Sequence, residues 1–110
     1  MLLNSGWTQY WSSSEQGQGK FLGMDKNGIQ HFPGWSAQAA RMMNERSCRG
    51  LGANTISIDA GYKYNIASAT AVETAFDAHL EILHQDKWLL ENVKILPELP
   101  SKGATLLVAR

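Results

Sequence analysis

The chain has 110 residues, 44% of them hydrophobic, which suffices for one domain with a core and is too short for two ordinary ones. Ten basic and ten acidic residues cancel, and no segment concentrates Lys or Arg, which argues against nucleic acid or an anionic membrane as a partner. Apolar runs such as residues 104–109 fall far short of the ~20 residues of a bilayer span, and the start lacks a signal peptide's basic flank, so the expected location is the cytoplasm.

Residues 1–5 read as a short strand that begins with the chain itself, an odd start for a domain. Residues 12–19, made of Ser, Glu, Gln and Gly, read as a flexible polar loop. Asn27-Gly28 is a turn signal between Phe21-Leu22 and residues 29–32, predicting a small hairpin. Ser36 is placed to cap a helix to about Ser47, with Ala39, Ala40, Met42 and Met43 on its inner face. Cys48 is the only cysteine, so no internal disulfide forms; it has no Cys/His cluster beside it and reads as a packing residue at a helix end.

Residues 53–59 alternate, with Thr55, Ser57 and Asp59 on one face and Ile56 and Ile58 on the other, predicting a half-buried strand. Thr70 and Glu73 then form a Thr-x-x-Glu capping box for a long helix. Its apolar stripe is Val72, Ala75, Phe76, Leu80 and Leu83, and His79 falls inside that stripe. Residues 88–93, Trp-Leu-Leu-Glu-Asn-Val, read as a buried strand. Glu91 there sits among side chains that cannot solvate its charge, and it needs a partner. A turn of helix near residues 95–99 and a final strand over 104–108 complete the order. Strands alternating with helices predict an α/β fold in a single domain, residues 1–110.

Several motifs carry chemistry on paper. Gly17-Gln-Gly19-Lys-Phe-Leu-Gly23 has the wrong glycine spacing, and no preceding strand, for a nucleotide loop. Ser57, Asp59 and His79 can be drawn as a hydrolytic triad, but no Gly-x-Ser-x-Gly elbow surrounds the serine and strand alternation alone explains its direction, so a capping or hydrogen-bonding role is the favoured reading. Trp7 and Trp11 either line a pocket for an aromatic group or fill a core or interface. With Ser57 and Asp59 they are the candidate substrate-lining residues. His79 alone reads as a hydrogen-bonded core histidine; paired with Glu91 it offers the imidazole and carboxylate that Zn²⁺ or Mn²⁺ accepts. His31 and His84 sit in a turn and a polar helix end and are poor candidates to complete that set. No residue is assigned as catalytic.

The residues become recognisable as a series. Asn-Ser-Gly-Trp with a second Trp (Asn4 to Trp7, Trp11) is followed by Phe-Pro-Gly-Trp-Ser and Ala-Ala (Phe32 to Ala40). Then come Gly-Ala-Asn-Thr-Ile-Ser-Ile-Asp-Ala-Gly (Gly52 to Gly61), His79, Glu91-Asn92, and Leu-Pro-Ser-Lys-Gly-Ala-Thr-Leu-Leu-Val (Leu99 to Val108). In this order they resemble the C-terminal half of the cyclase-like metal-dependent hydrolases, which include kynurenine formamidase (arylformamidase), an enzyme of tryptophan catabolism, and isatin hydrolase. The resemblance implies part of a swivelling β/β/α fold with a mixed sheet and two main helices, truncated at both ends. It also implies that His79 and Glu91 complete or border a Zn or Mn site whose other ligands come from a His-x-Gly-Thr-His-x-Asp motif. That motif is absent from this sequence. Two further departures are Asn54-Thr55 where the family has Asp-Thr, and a longer segment between Gly61 and His79.

The expectation is therefore a hydrolase fragment that binds no metal by itself and needs a complementary N-terminal polypeptide. The alternative is a non-catalytic module whose open strand edges, at residues 1–5 or 104–108, drive assembly into a homodimer or higher oligomer.

Overall fold

The centre of the molecule is the alternation Gly50-Leu51-Gly52-Ala53. A computed structural model, which describes residues 1–12, 14–65, 68–71, 75–95 and 98–107, places it as the middle strand of a three-stranded sheet. In chain order the elements are β1 (Leu2–Leu3), a 3-10 turn (Trp7–Tyr10), α1 (Glu15–Leu22), α2 (Ala37–Glu45) and β2 (Gly50–Ala53). A second 3-10 turn (Gly61–Lys63), β3 (Tyr64–Asn65), β4 (Thr70–Ala71), α3 (Asp77–Leu83) and β5 (Trp88–Leu90) follow.

The sheet order is β1-β2-β5 and both pairings are parallel, with Leu2 opposite Gly52 and Leu51 opposite Leu89. Period-2 geometry sends Leu51 and Ala53 to one face. They are fully buried there with Ala40 and Met43 of α2, Ile58, and Ala78 and Ile82 of α3. On the other face the neighbouring strands' side chains lie across the backbone: a Cβ on Gly50 would stand 2.2 Å from the Trp88 ring, and one on Gly52 2.4 Å from Leu2 Cδ2. Glycine at these two positions lets the flanking strands cover their own sheet. β3 and β4 form a separate antiparallel ribbon.

The α/β class and a strand at the start agree with the sequence reading; the buried strand expected over 88–93 is only Trp88–Leu90, it is half-buried, and Glu91 lies beyond it and is exposed. Helix α2 agrees as well, with Ser36 Oγ accepting the Ala39 N–H at 3.1 Å and Ala40 and Met43 buried. Met42 is 40% exposed, so it belongs to the outer face. Cys48 follows α2 and packs against the core.

Several expectations are corrected. The three-stranded sheet is parallel, not mixed, and α1 is a third helix where residues 12–19 read as loop. Helix α1 also takes in Phe21 and Leu22; of the expected hairpin there remains a Met24–Gln30 bridge around a turn in which Asp25 Oδ1 accepts the Asn27 and Ile29 N–H groups. The strand predicted to run to Asp59 stops at Ala53, because the chain turns inward and Asn54, Thr55 and Asp59 are buried. The buried stripe of α3 is Ala78 and Ile82, while Phe76, Leu80 and Leu83 are each about half exposed. Small Ala40 and Ala78 in the shared core let α2 and α3 approach closely, and that selects the phase. Thr70 pairs with Asn65 in the β3–β4 ribbon, and α3 begins only at Asp77. Val72 and Glu73 lie outside the described residues, as do 96–97 of the expected helical turn. Residues 104–107 form no strand, and Leu106 and Leu107 are exposed; 108–110 lie outside the described residues. Among the described residues no helix is long and apolar enough to cross a membrane.

Candidate functional site

All three parallel strands end on polar residues: Asn4-Ser5 after β1, Asn54-Thr55 after β2 and Glu91-Asn92 after β5. The carboxyl edge of a parallel sheet is where open α/β folds place their ligands. Two constructions occupy that edge.

The first is built on Asn54, whose side chain is buried and uses all four of its hydrogen-bonding positions. Oδ1 accepts the Ser5 N–H at 3.0 Å and the Ser5 hydroxyl at 2.7 Å. Nδ2 donates to Asn4 Oδ1 at 3.1 Å and to Thr8 Oγ1 at 2.9 Å. Asn54 thereby ties the end of β1 and the Trp7–Tyr10 turn to the end of β2. Its amide donates two bonds that an aspartate cannot, which is a physical reason for asparagine at this position.

Trp7 and Trp11 leave that turn in different directions. Trp7 Nε1–H donates to the Phe21 carbonyl at 2.8 Å, and its ring packs edge-on against Tyr10. Trp11 meets the buried Phe21 ring edge-to-face at 5.0 Å and is itself 62% exposed. Trp11 and Phe21 line a cavity of about 290 Å³ with Thr8, Asn54, Asn92 and Val93; Trp7 does not reach it.

The second construction is a line of three side chains from three segments. Asp59 Oδ2 accepts from His79 Nδ1 at 2.6 Å, and His79 Nε2 lies 3.2 Å from Glu91 Oε1. Glu91 Oε1 also accepts the Ile58 N–H at 2.9 Å, so the partner that Glu91 requires is a backbone amide plus the imidazole. Asp59 is only 2% exposed and its oxygens are turned inward: Oδ1 accepts the Ala78 N–H at 2.9 Å and Oδ2 the His79 N–H at 3.2 Å. These are the second and third residues of α3, whose N-cap residue, Phe76, supplies no capping side chain. Asp59 is therefore a helix cap delivered from a distant loop, and its charge also suits the positive end of the helix. The remaining member of the suggested triad, Ser57, offers its carbonyl to Thr55 Oγ1 and lines none of the four cavities described for this chain.

His79 is shifted toward its protonated form. The hydrogen bond to Asp59 raises its pKa above 6.5, burial opposes this, and the charges of Glu91 and Asp59 add to the rise. Asp59 fixes Nδ1, so Nε2 is the ring nitrogen that works at the site. Two ligands of one tetrahedral Zn²⁺ stand about 3.3 Å apart at the usual bond lengths, and the Nε2–Oε1 separation of 3.2 Å fits that spacing. A catalytic zinc needs three protein ligands, and among the described residues no group of three or more His, Cys, Asp or Glu is placed to hold a metal. The 3.2 Å separation is also that of an imidazole–carboxylate hydrogen bond, and the pair alone does not make a metal site, so no reaction step on this chain is derived through a metal. His31 is bonded to Asp25 in its turn at 3.1 Å, and His84 stands exposed at the end of α3.

Sequence reasoning singles out His79 and Glu91 because each interrupts an apolar run, and the structure brings their side chains together. That reasoning missed Asn54 as an organising residue; the capping or hydrogen-bonding role it favoured over a triad is the one Asp59 plays at the start of α3. The available signal was the run Asn-Thr-Ile-Ser-Ile-Asp itself, whose polar members outnumber what a simple exposed strand face needs.

The chain is 32% identical over 100 residues to isatin hydrolase of Roseibium aggregatum, a match that covers 90% of this chain and 35% of that protein. The chain thus spans about a third of the length of the curated relative it matches. Residues 1–60, which hold β1, β2, Asn54 and Asp59, match the family described as "Putative cyclase". By that match, over more than half of its length, the chain belongs to the cyclase family.

Proposed function

We propose that this chain supplies one wall of a metal-dependent hydrolase centre acting on amide or cyclic amide C–N bonds, and that a second polypeptide carrying the His-x-Gly-Thr-His-x-Asp motif supplies the rest. The observation that carries this reading is the convergence of His79 Nε2 and Glu91 Oε1 to 3.2 Å, at the ligand spacing of one ion, with Nδ1 already held by Asp59. The family membership and the named activity of the relative, isatin hydrolase, support the choice of reaction class. A metal completed by both polypeptides, Zn or Mn, would lower the pKa of a bound water and polarise the scissile carbonyl. This chain's part is to orient one imidazole and one carboxylate toward it.

The test is hydrolysis of isatin and of an N-formyl aniline with Zn²⁺ or Mn²⁺ present. The 110-residue chain alone is expected to be inert. Mixed with the N-terminal two thirds of the Roseibium relative, it should turn over, and Glu91→Gln should remove that turnover. Metal-dependent activity of the chain alone would overturn the need for a second polypeptide; failure of the mixture, with both parts folded and associated, would overturn the hydrolase assignment.

A second reading is a non-catalytic module that associates with itself. It is favoured by the apolar surface left open at Phe76, Leu80 and Leu83 on α3 and at Leu106 and Leu107, the last of them 88% exposed. A monodisperse monomer in light scattering at high concentration would remove it.

A further inference from the structure

The peptide group between Ser57 and Ile58 is held at both of its polar ends. Its carbonyl, on Ser57, accepts the Thr55 hydroxyl at 2.9 Å, and its N–H, on Ile58, donates to Glu91 Oε1 at 2.9 Å. A trans peptide is planar with its C=O and N–H pointing in opposite directions, so fixing the first aims the second. A hydroxyl that donates to the carbonyl also polarises the group and strengthens the N–H as a donor. Thr55 is thereby connected to the Glu91 carboxylate through one rigid unit.

Thr55 reaches Glu91 by a second route as well. Its carbonyl accepts the Asn92 N–H at 2.9 Å, which ties down the backbone immediately after Glu91. Thr55 and Ile58 are both fully buried, and the Ile58 carbonyl accepts the Trp35 N–H at 2.7 Å, so this end of the connection is anchored in the body of the molecule. Glu91 is exposed, and a long exposed side chain has several staggered rotamers open to it unless something selects one. The order of control therefore runs from Thr55 outward. The same loop carries Asp59, which orients His79, so both halves of the His79–Glu91 contact are set by residues 55–59.

We propose that Thr55 is a positioning residue, whose hydroxyl acts through the Ser57–Ile58 peptide to set Glu91 Oε1 opposite His79 Nε2. The geometric part of this inference concerns the chain alone. Its consequence for turnover rests on the hydrolase reading above.

The experiment compares Thr55→Val, which keeps the shape and removes the hydroxyl, with Thr55→Ser, which keeps the hydroxyl, by amide-resolved NMR on the full chain without metal. Glu91→Ala calibrates the readout, because removing the acceptor should move the Ile58 amide proton upfield. Thr55→Val should move that proton the same way and speed its exchange with water about tenfold, as loss of one hydrogen bond implies; Thr55→Ser should recover most of both effects. An Ile58 amide untouched by Thr55→Val, or displaced equally by Thr55→Ser, would overturn the proposal. In the unmodified chain the Thr55 hydroxyl proton should be visible in slow exchange with water, and a hydroxyl averaged with solvent would overturn it even if the valine variant did not fold. In an active complex with the second polypeptide, Thr55→Val should lower kcat about tenfold with KM unchanged, and Thr55→Ser should recover most of the loss; an equal kcat for Thr55→Val would count against a positioning role. The NMR comparison needs neither metal nor second polypeptide, so failure of the hydrolase reading cannot be mistaken for failure of this one.

Discussion

Removing the Asp59 carboxylate tests the claim that one side chain both caps α3 and steers His79. In Asp59→Ala three hydrogen bonds disappear: those from the Ala78 and His79 amides and that from the imidazole. Loss of a capping side chain costs about 1 kcal/mol, and loss of a hydrogen bond between charged groups about 1.5–3 kcal/mol. The buried Ala78 N–H is left without a partner. A destabilisation of about 3 kcal/mol is expected in urea unfolding at pH 6. The effect also has a sign in pH. The folded-state pKa of His79 lies above the 6.5 of an unfolded chain, so its contribution is complete below pH 6.5 and is lost as pH rises through the folded value. The native protein should therefore lose stability above pH 6.5 with a slope that Asp59→Ala flattens, since the Asp59 bond is the largest cause of the shift. A loss below about 1 kcal/mol, or an unchanged pH slope, would refute the dual role.

Asn54→Asp keeps the acceptor and removes both donors, and it sets a carboxylate against Asn4 Oδ1; it should cost about 1–3 kcal/mol and increase amide exchange across the Trp7–Tyr10 turn. Gly34→Ala should be among the most damaging single-methyl additions, because the new Cβ would stand 2.4 Å from Ala60 N and 2.6 Å from the Ile58 carbonyl; thermal unfolding should show a loss of more than about 1 kcal/mol. Arg41→Ala removes the ion pair with Glu81, but the pair is solvent-screened, so urea unfolding should show no measurable change in stability. Equimolar Zn²⁺ should leave the unfolding temperature of the chain unchanged by itself and raise it once the complementary polypeptide is present.

The parts of this structure that could be read from sequence are those set by local chemistry. Ser36 announces α2 because its hydroxyl satisfies an amide three residues on. Glu91 stands out after Trp-Leu-Leu, but it is exposed just past the end of β5, and it meets the Ile58 amide and His79 there without being buried. What escaped depends on distant neighbours. Helix α1 holds Gly17 and Gly19, poor helix formers, and draws on packing against the Trp7–Tyr10 turn, with Phe21 buried at its end. The inner face of α3 went to Ala78 over Leu80 because the facing helix brings Ala40, and periodicity alone sees no partner. Thr70 and Glu73 matched a capping pattern, yet the cap came from Asp59, nineteen residues ahead of the Ala78 amide it accepts. The carboxyl-edge polar residues looked like one face of a strand because alternation in sequence cannot distinguish a face turned to water from a loop folded inward.

The carboxylate that closes the first turn of α3 is the same one that aims the His79 ring. Orientation of the imidazole therefore comes with the helix, and selection for a folded chain is enough to preserve it. A descendant of this fold that had given up chemistry would still present His79 toward Glu91 in the same tautomer, and would stand a few substitutions from resuming it. Retention of an ordered histidine–carboxylate pair here measures the stability of a helix start before it measures catalysis.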